Sequence, residues 1–324
     1  MTSSADDDLA NRSLEDLLDR YRELDLSAGD DEADDDARAA EADRIAAEVL
    51  RRDPEAGDLE FDRGLFAKWR RDWPAAQEHN SRALDLIPED ERREEAAAWN
   101  LGTAATARRD WATARRAWAA FGFRIDGSGD EPIEADFGPA PVRLNPPVRY
   151  VGQRDLELDG HVHDTEVVWG LRLDPTRIRI ASVPTPASGH RFGDVVLHDG
   201  EPHGTRRFDG TDHPVFDEIE LWERSPVPTL SVRVRGSDAD VAALVEALDA
   251  AGLAVEDWTT EVRRLCRACS DGAVSDSEHE HEAPADGERR LGMAGEGEEA
   301  LRVVLAWLDG GPGRSAEDVV LQLE

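Results

Sequence analysis

Residues 70–76 read Arg-Arg-Asp-Trp-Pro-Ala-Ala, and residues 108–114 read Arg-Arg-Asp-Trp-Ala-Thr-Ala. The second run follows the first at an offset of 38 residues, and Gly64 and Gly102 keep the same offset. Asp53-Pro54 and Ile87-Pro88 close consecutive units 34 residues apart, with Leu50 matching Leu84. A period of this length, with small residues at fixed places, is the signature of stacked helical hairpins that bury their apolar faces on one another. Gly64 and Gly102 fall where two helices approach too closely for a side chain. Ala76 and Ala114 fill the matching place on the second helix. Trp73 and Trp111 open that second helix and pack back on the first. The proline ends each unit because it cannot continue a helix.

These residues resemble tetratricopeptide repeats. Trp99-Asn-Leu-Gly102, Arg109-Asp-Trp111, Ala114 and Trp118 follow that family's pattern, as do Gly64, Arg71-Asp-Trp73, Ala76, Ala83-Leu84 and Pro88. The resemblance covers residues 57–125; an earlier unit ending at Leu50 and Pro54 is degenerate, and its acidic run at 27–36 reads as a solvated loop. What the resemblance implies is a helical solenoid that binds a protein or peptide in a concave groove. Phe61, Leu65, Lys68, Trp69, Trp99, Thr103 and Thr106 lie on the first helices and are the candidate partner-binding residues. The same aromatic spacing fits packing between units equally well.

The charge balance narrows the partners. The chain has 324 residues with 38 Lys+Arg against 72 Asp+Glu, a formal net charge of −34. Phosphate recognition needs clustered cations, so this balance argues against nucleic acid and against anionic membrane surfaces. Lys68 is the only lysine, which removes P-loop chemistry and leaves one residue for any Schiff base. High acidity with almost no lysine resembles the proteins of salt-accumulating halophiles, where screening at molar salt weakens repulsion among like charges. Two cysteines, no stretch of 18 apolar residues and an N-terminal MTSSADDD without a basic or apolar region point to a reducing cytoplasm.

Beyond the repeats the chain changes character. Residues 126–149 are dense in Pro and Gly and read as a linker or an ordered loop bracing two domains. Residues 165–173, 177–183, 194–198 and 215–222 read as strands of a small antiparallel sheet or partly open barrel, with Asp-Gly and Asp-Pro turns between them. A strand at 230–235, a helix at 238–251 capped by Ser237 or Asp238 and ended by Gly252, and strands at 253–258 and 261–266 make a β-α-β annex, resembling in pattern half of a ferredoxin-like or ACT-like unit. Residues 270–298 are acidic and read as disordered; 299–308 and 315–323 read as short helices. The expected fold is therefore α+β: a repeat domain at 1–125, a linker at 126–149, a mostly antiparallel β domain at 150–269, an acidic segment at 270–298 and C-terminal helices at 299–324.

Three clusters could carry chemistry. Cys266-Arg-Ala-Cys269 with His279-Glu-His281 offers two thiolates and two imidazoles, enough for a tetrahedral zinc site. An inert cysteine pair followed by an acidic tail explains the same residues. His161-Val-His163-Asp164 places two imidazoles at alternate positions, but Asp164 adjoins His163 and the run reads as a surface turn. Ser188 and His190, with His198, His203 and His213, crowd one small sheet, yet no Gly-x-Ser-x-Gly elbow surrounds Ser188. The reading that follows is a non-catalytic protein-interaction adaptor adapted to high salt. The alternative is a metal-binding regulator or a small metal-dependent hydrolase built on the C-terminal histidines and cysteines.

Overall fold

The computed structural model describes residues 9–24, 32–127, 129–208, 210–259 and 288–324. The chain divides into two compact units, Met1–Ala135 with Pro147–Asp155, and Asp136–Pro146 with Leu156–Glu324. Helices fill the first and antiparallel sheets dominate the second.

The helical unit runs α1 (Leu14–Glu23), α2 (Glu32–Arg52), α3 (Gly57–Trp69), α4 (Trp73–Leu86), α5 (Ala96–Ala107) and α6 (Trp111–Phe121). The repeated Arg-Arg-Asp-Trp run makes the turn inside two hairpins, α3–α4 and α5–α6. Its first arginine, Arg70 or Arg108, caps the first helix. The second, Arg71 or Arg109, takes a left-handed φ of 59° or 60°. Asp72 N donates to Ala67 O and Asp110 N to Ala105 O, both at 2.9 Å, while Arg71 N reaches Lys68 O and Arg109 N reaches Thr106 O. This is the 6→1 and 5→2 pattern that closes a helix C-terminus, with arginine where glycine is usual. Each aspartate then caps the next helix, accepting from Ala75 N or Thr113 N at 3.2 Å. The four residues therefore end one helix and start another, which is why they recur as a block.

The glycines answer the same geometry. A Cβ on Gly102 would sit 2.7 Å from three ring atoms of Trp118, which is fully buried; one on Gly64 would sit 2.3 Å from Asn80 Nδ2. Ala76 and Ala114 are fully buried. One expectation changes here: α2 begins at Glu32, so the second half of the acidic run 27–36 is helical rather than a loop. Negative side chains favour the positive end of the helix dipole, which suits such a run to a first turn.

In the second unit β1 (Pro139–Leu144) comes first, then the short hairpin β2 (Glu157–Leu158) and β3 (His161–Val162), then β4 (Glu166–Arg172), β5 (Arg177–Ile180), β6 (Val195–Phe208) and β7 (Thr211–Glu223). Strands β1, β4, β5, β6 and β7 form a closed barrel, every pairing antiparallel except the closing parallel contact of Val142–Arg143 on Phe216–Asp217. Ala140, Val142, Leu144, Val168, Ile178, Ile180, Val196 and Phe216 fill its core. The barrel corrects the linker expected at 126–149, because β1 lies inside it. Pro139 and Pro141 disguise the strand, but β7 pairs only from Val142 onward, so both prolines sit where that edge is still unpaired.

The remaining chain gives β8 (Thr229–Arg235), α7 (Asp238–Ala250), β9 (Ala254–Asp257), β10 (Glu288–Ala294), α8 (Gly297–Asp309), β11 (Ser315–Ala316) and β12 (Val320–Leu323). β10 lies between β8 and β9, and β11 and β12 both pair with the far edge of β8. This β-α-β-β-α-β order completes the half-unit that the sequence suggested. α7 opens on a Ser237–Asp240 capping box, and Gly252 follows its end with φ 81°. Two expectations are overturned. Residues 288–298, read as disordered, form β10 and the start of α8, because Leu291 and Met293 alternate into the core. Residues 315–323, read as a helix, form β11 and β12, since pairing to β8 outweighs an acidic, helix-like start. The strand expected at 261–266 lies outside the described residues. Among the described residues no helix is long and apolar enough to cross a membrane.

Candidate functional site

The candidate groove residues separate into three environments. Lys68 and Trp69 end α3 and are buried. The Lys68 ammonium donates to Asn100 Oδ1 at 3.0 Å and lies 4.3 Å from the Trp69 ring centroid. Thr103 and Thr106 on α5 are fully buried; Thr103 Oγ1 donates back to Trp99 O at 3.1 Å. Trp99 meets Trp118, Phe121 and Phe123 edge-on or tilted at centroid distances of 5.2, 5.1 and 6.0 Å. Phe61 packs on the apolar cluster of Ala83, Leu84, Ala97 and Leu101, and Leu65 is half-buried.

Sequence reading missed a second element of this face. Residues 147–155 return to the helical unit after β1 and lay Tyr150 flat on Trp69, with centroids 4.1 Å apart and planes 9° from parallel. The Gln153 side chain accepts from the amides of Arg149 and Tyr150, which holds the turn that presents the ring. Gly152 comes close to Ala39 and Arg70, Arg154 pairs with Asp36 at 2.8 Å, and Arg71 donates to Asp155 O at 3.4 Å. Stacking, one ion pair and one backbone contact thus hold a short non-helical stretch across α2 and α3. Nothing in residues 147–155 announces this, because the partner surface is assembled from helices about 80–115 residues earlier. A separate open cleft of the same unit is lined by Leu50, Arg51, Glu60, Arg63, Arg82 and Asp85, with mixed charge and none of the expected groove residues.

Among the described residues of the second unit the histidines do not converge on one centre. His190 is fully buried between two carboxylates, with Nε2 3.1 Å from Glu218 Oε2 and Nδ1 3.5 Å from Asp194 Oδ2. Burial alone would lower its pKa, but the two acids outweigh it and raise it to about 9. Both acids are themselves tied down. Glu218 accepts from Asn145 N at 3.0 Å; Asp194 accepts from Arg191 N, Ser225 N and Arg224 Nη1. Ser188 Oγ donates to Thr185 O rather than facing the imidazole, so the two residues close in sequence make no nucleophile–base pair. The cluster is an internal electrostatic tie between the loop before β6 and strand β7.

The other described histidines of this unit are engaged elsewhere. His198 is fully buried against Phe216; its Nδ1 accepts from Gly200 N, and burial, then the Arg172 charge, pushes its pKa well below the ordinary value. His213 meets Trp169 edge-on. His161 Nδ1 donates to Asp159 O and His163 Nε2 to Leu158 O, which accounts for that pair as a hairpin surface. Asp164 gives its amide to Ala187 O. His203 instead sits 3.5 Å from Asp199, with Glu201 nearby. Sequence reading missed Asp199 and Glu201, whose only local signal is the alternation Asp199-Gly-Glu201-Pro-His203. Cys266, Cys269, His279 and His281, the zinc candidates, lie outside the described residues.

No protein-family description, no curated protein and no solved structure matches this chain.

Proposed function

We propose that the protein is a non-catalytic adaptor whose helical unit, built from tetratricopeptide-like hairpins, docks an extended segment of a partner across α2 and α3. The observation that carries this reading is the Tyr150–Trp69 stack, since this face already holds a short non-helical stretch of the protein's own chain. The repeated geometry of the two Arg-Arg-Asp-Trp turns supports the solenoid part of the reading. The partner segment is one of matching chemistry: an aromatic side chain for Trp69 and, a few residues on, an arginine for Asp36. Nearby Lys68 and Asn100 add one buried polar contact pair.

The test uses the full chain at molar KCl. A fluorescent peptide with the sequence of residues 147–155 is titrated into the parent and into Tyr150→Ala, with anisotropy as readout. The reading expects binding to Tyr150→Ala, weaker or absent binding to the parent, and loss of binding when Trp69→Ala is added to Tyr150→Ala. Equal behaviour of all three proteins would refute an extended-segment docking face.

A further inference from the structure

We propose that the end of the barrel bounded by Arg172 and His198 binds a single chloride ion. Strand register brings the two side chains to one place. Arg172 is the Cα partner of Ile178, and Gly170 that of Ile180. Residues opposite one another on paired strands share a face. Ile178 and Ile180 fill the barrel core, so Arg172 points into the barrel, while its neighbour Leu171 is exposed. On β6 Val196 is a core residue, and His198 is the next residue on that face. Both side chains reach Phe216, which is also core. The His198 ring centroid lies 4.6 Å from the Phe216 centroid, and the Arg172 guanidinium carbon lies 5.2 Å from it. The turn at 173–176 ties the two residues together as well. Arg172 Nη2 donates to Pro175 O at 3.2 Å, and His198 N donates to Thr176 O at 2.9 Å.

Each side chain carries a buried donor with no acceptor. Gly200 N donates to His198 Nδ1 at 3.0 Å, so the ring proton of the neutral imidazole sits on Nε2. His198 is fully buried, and its Nε2 meets no acceptor among the described residues. Arg172 Nε is buried and equally unmatched. Phe137 and Phe216 cover the guanidinium at 5.6 and 5.2 Å, but a ring face gives Nε no acceptor in the guanidinium plane. Asp174, the acid whose charge acts on Arg172, already accepts from Arg177 Nε and from the amides of Thr176 and Arg177. Burial lowers the Arg172 pKa, and the Asp174 charge offsets this only in part. One desolvated positive charge and one neutral N–H donor, among apolar walls, suit a small monovalent acceptor. A halide accepts from both donors with a single atom and balances the one charge. A carboxylate or phosphate brings further oxygens, for which Val142, Ile178 and Phe216 offer no donor. Arg172 is half-buried, so this end of the barrel is reached from its side.

The site lies in the second unit and is independent of the adaptor reading. The test uses the full chain in potassium gluconate at constant molar potassium, with a small part of the gluconate replaced by chloride, and follows the ³⁵Cl linewidth. The parent should broaden the chloride line more than Arg172→Met does, and added bromide should remove that excess by displacement. His198→Phe keeps a ring against Phe216 and removes the Nε2 donor, so it should also reduce the excess. A second measurement needs no variant. Crystals of the parent grown in KBr should show an anomalous bromide peak within hydrogen-bond distance of both His198 Nε2 and Arg172 Nε. Equal broadening by the parent, Arg172→Met and His198→Phe would mean adventitious surface ions only and would overturn the proposal. A water molecule between the two nitrogens, with no anomalous signal, would overturn it as well.

Discussion

Raising the pH through the range where His190 loses its proton should unfasten the barrel. In the folded protein its pKa is about 9, against an ordinary value near 6.5. Between these two values the folded chain holds a proton that the unfolded chain has released. Stability from this group is therefore complete below about pH 6.5, declines as pH rises, and is gone above about pH 9. The difference of about 2.5 units at ~1.4 kcal/mol each gives roughly 3.5 kcal/mol, an upper figure for one buried group. At ~2–4 °C per kcal/mol for a unit of this size, Tm should fall by at most about 7–14 °C across the window. The assay is denaturant unfolding at constant molar KCl, followed by tryptophan fluorescence, at steps from pH 6 to pH 10, on the parent and on His190→Gln. The parent should lose stability over the window and the variant should show a flat profile there. A parent-minus-variant difference that stays constant with pH would refute the ion-pair account, because a packing defect does not titrate.

Four other outcomes follow from the same structure. His198, buried and held neutral, should oppose the fold as pH falls below about 6.5, since the unfolded chain gains a proton there; His198→Phe should flatten the acid limb of the same profile. Gly102→Leu should destabilise by about 2–4 kcal/mol in thermal melts, because its Cβ alone would fall 2.7 Å from the buried Trp118 ring; an unchanged Tm would refute the helix contact. Asp110→Ala should cost about 1 kcal/mol as a lost helix cap, while Arg109→Gly should be neutral or stabilising because φ is already 60°; the opposite order in urea titrations would contradict the turn geometry. Lowering KCl from molar to about 0.1 M, where the screening length grows to ~10 Å, should reduce the Tm of a chain carrying a net −34; a Tm independent of salt would remove the halophilic reading.

What could be read from the sequence was whatever local chemistry decides. The Arg-Arg-Asp-Trp block specifies a helix end and a helix start within four residues, so its recurrence locates both hairpins. Ser237 and Gly252 bracket α7 for the same reason. What could not be read was decided at long range. β1 is recognisable only through the strands it joins, Val168 and Phe216 among its partners, because Pro139 and Pro141 make it look like a linker. β12 carries a helix-compatible sequence and becomes a strand only because β8 offers an edge. At the sites, His190 was visible but its partner Glu218 lies 28 residues further on, and Tyr150 meets a tryptophan 81 residues before it. Asp199 and Glu201 approach His203 only because β6 bulges where it pairs with β7, which nothing local to residues 199–203 specifies.

The route of the chain between its two units constrains how the molecule can be made. β1 belongs to the barrel, the next stretch, 147–155, belongs to the helical unit, and residues from 156 onward belong to the second unit again, its barrel first. A ribosome delivering this chain releases β1 long before β7, whose Phe216 it must pair with 74 residues later. Until then the first barrel strand has only β4 beside it, and its other edge waits open for any strand that will add to it. The helical unit meanwhile cannot gain its Tyr150 contact until β1 has left the tunnel. A fragment beginning at residue 150 would lack the closing strand and expose the edges of β4 and β7 together, so a cut at this apparent boundary should yield aggregates rather than a barrel.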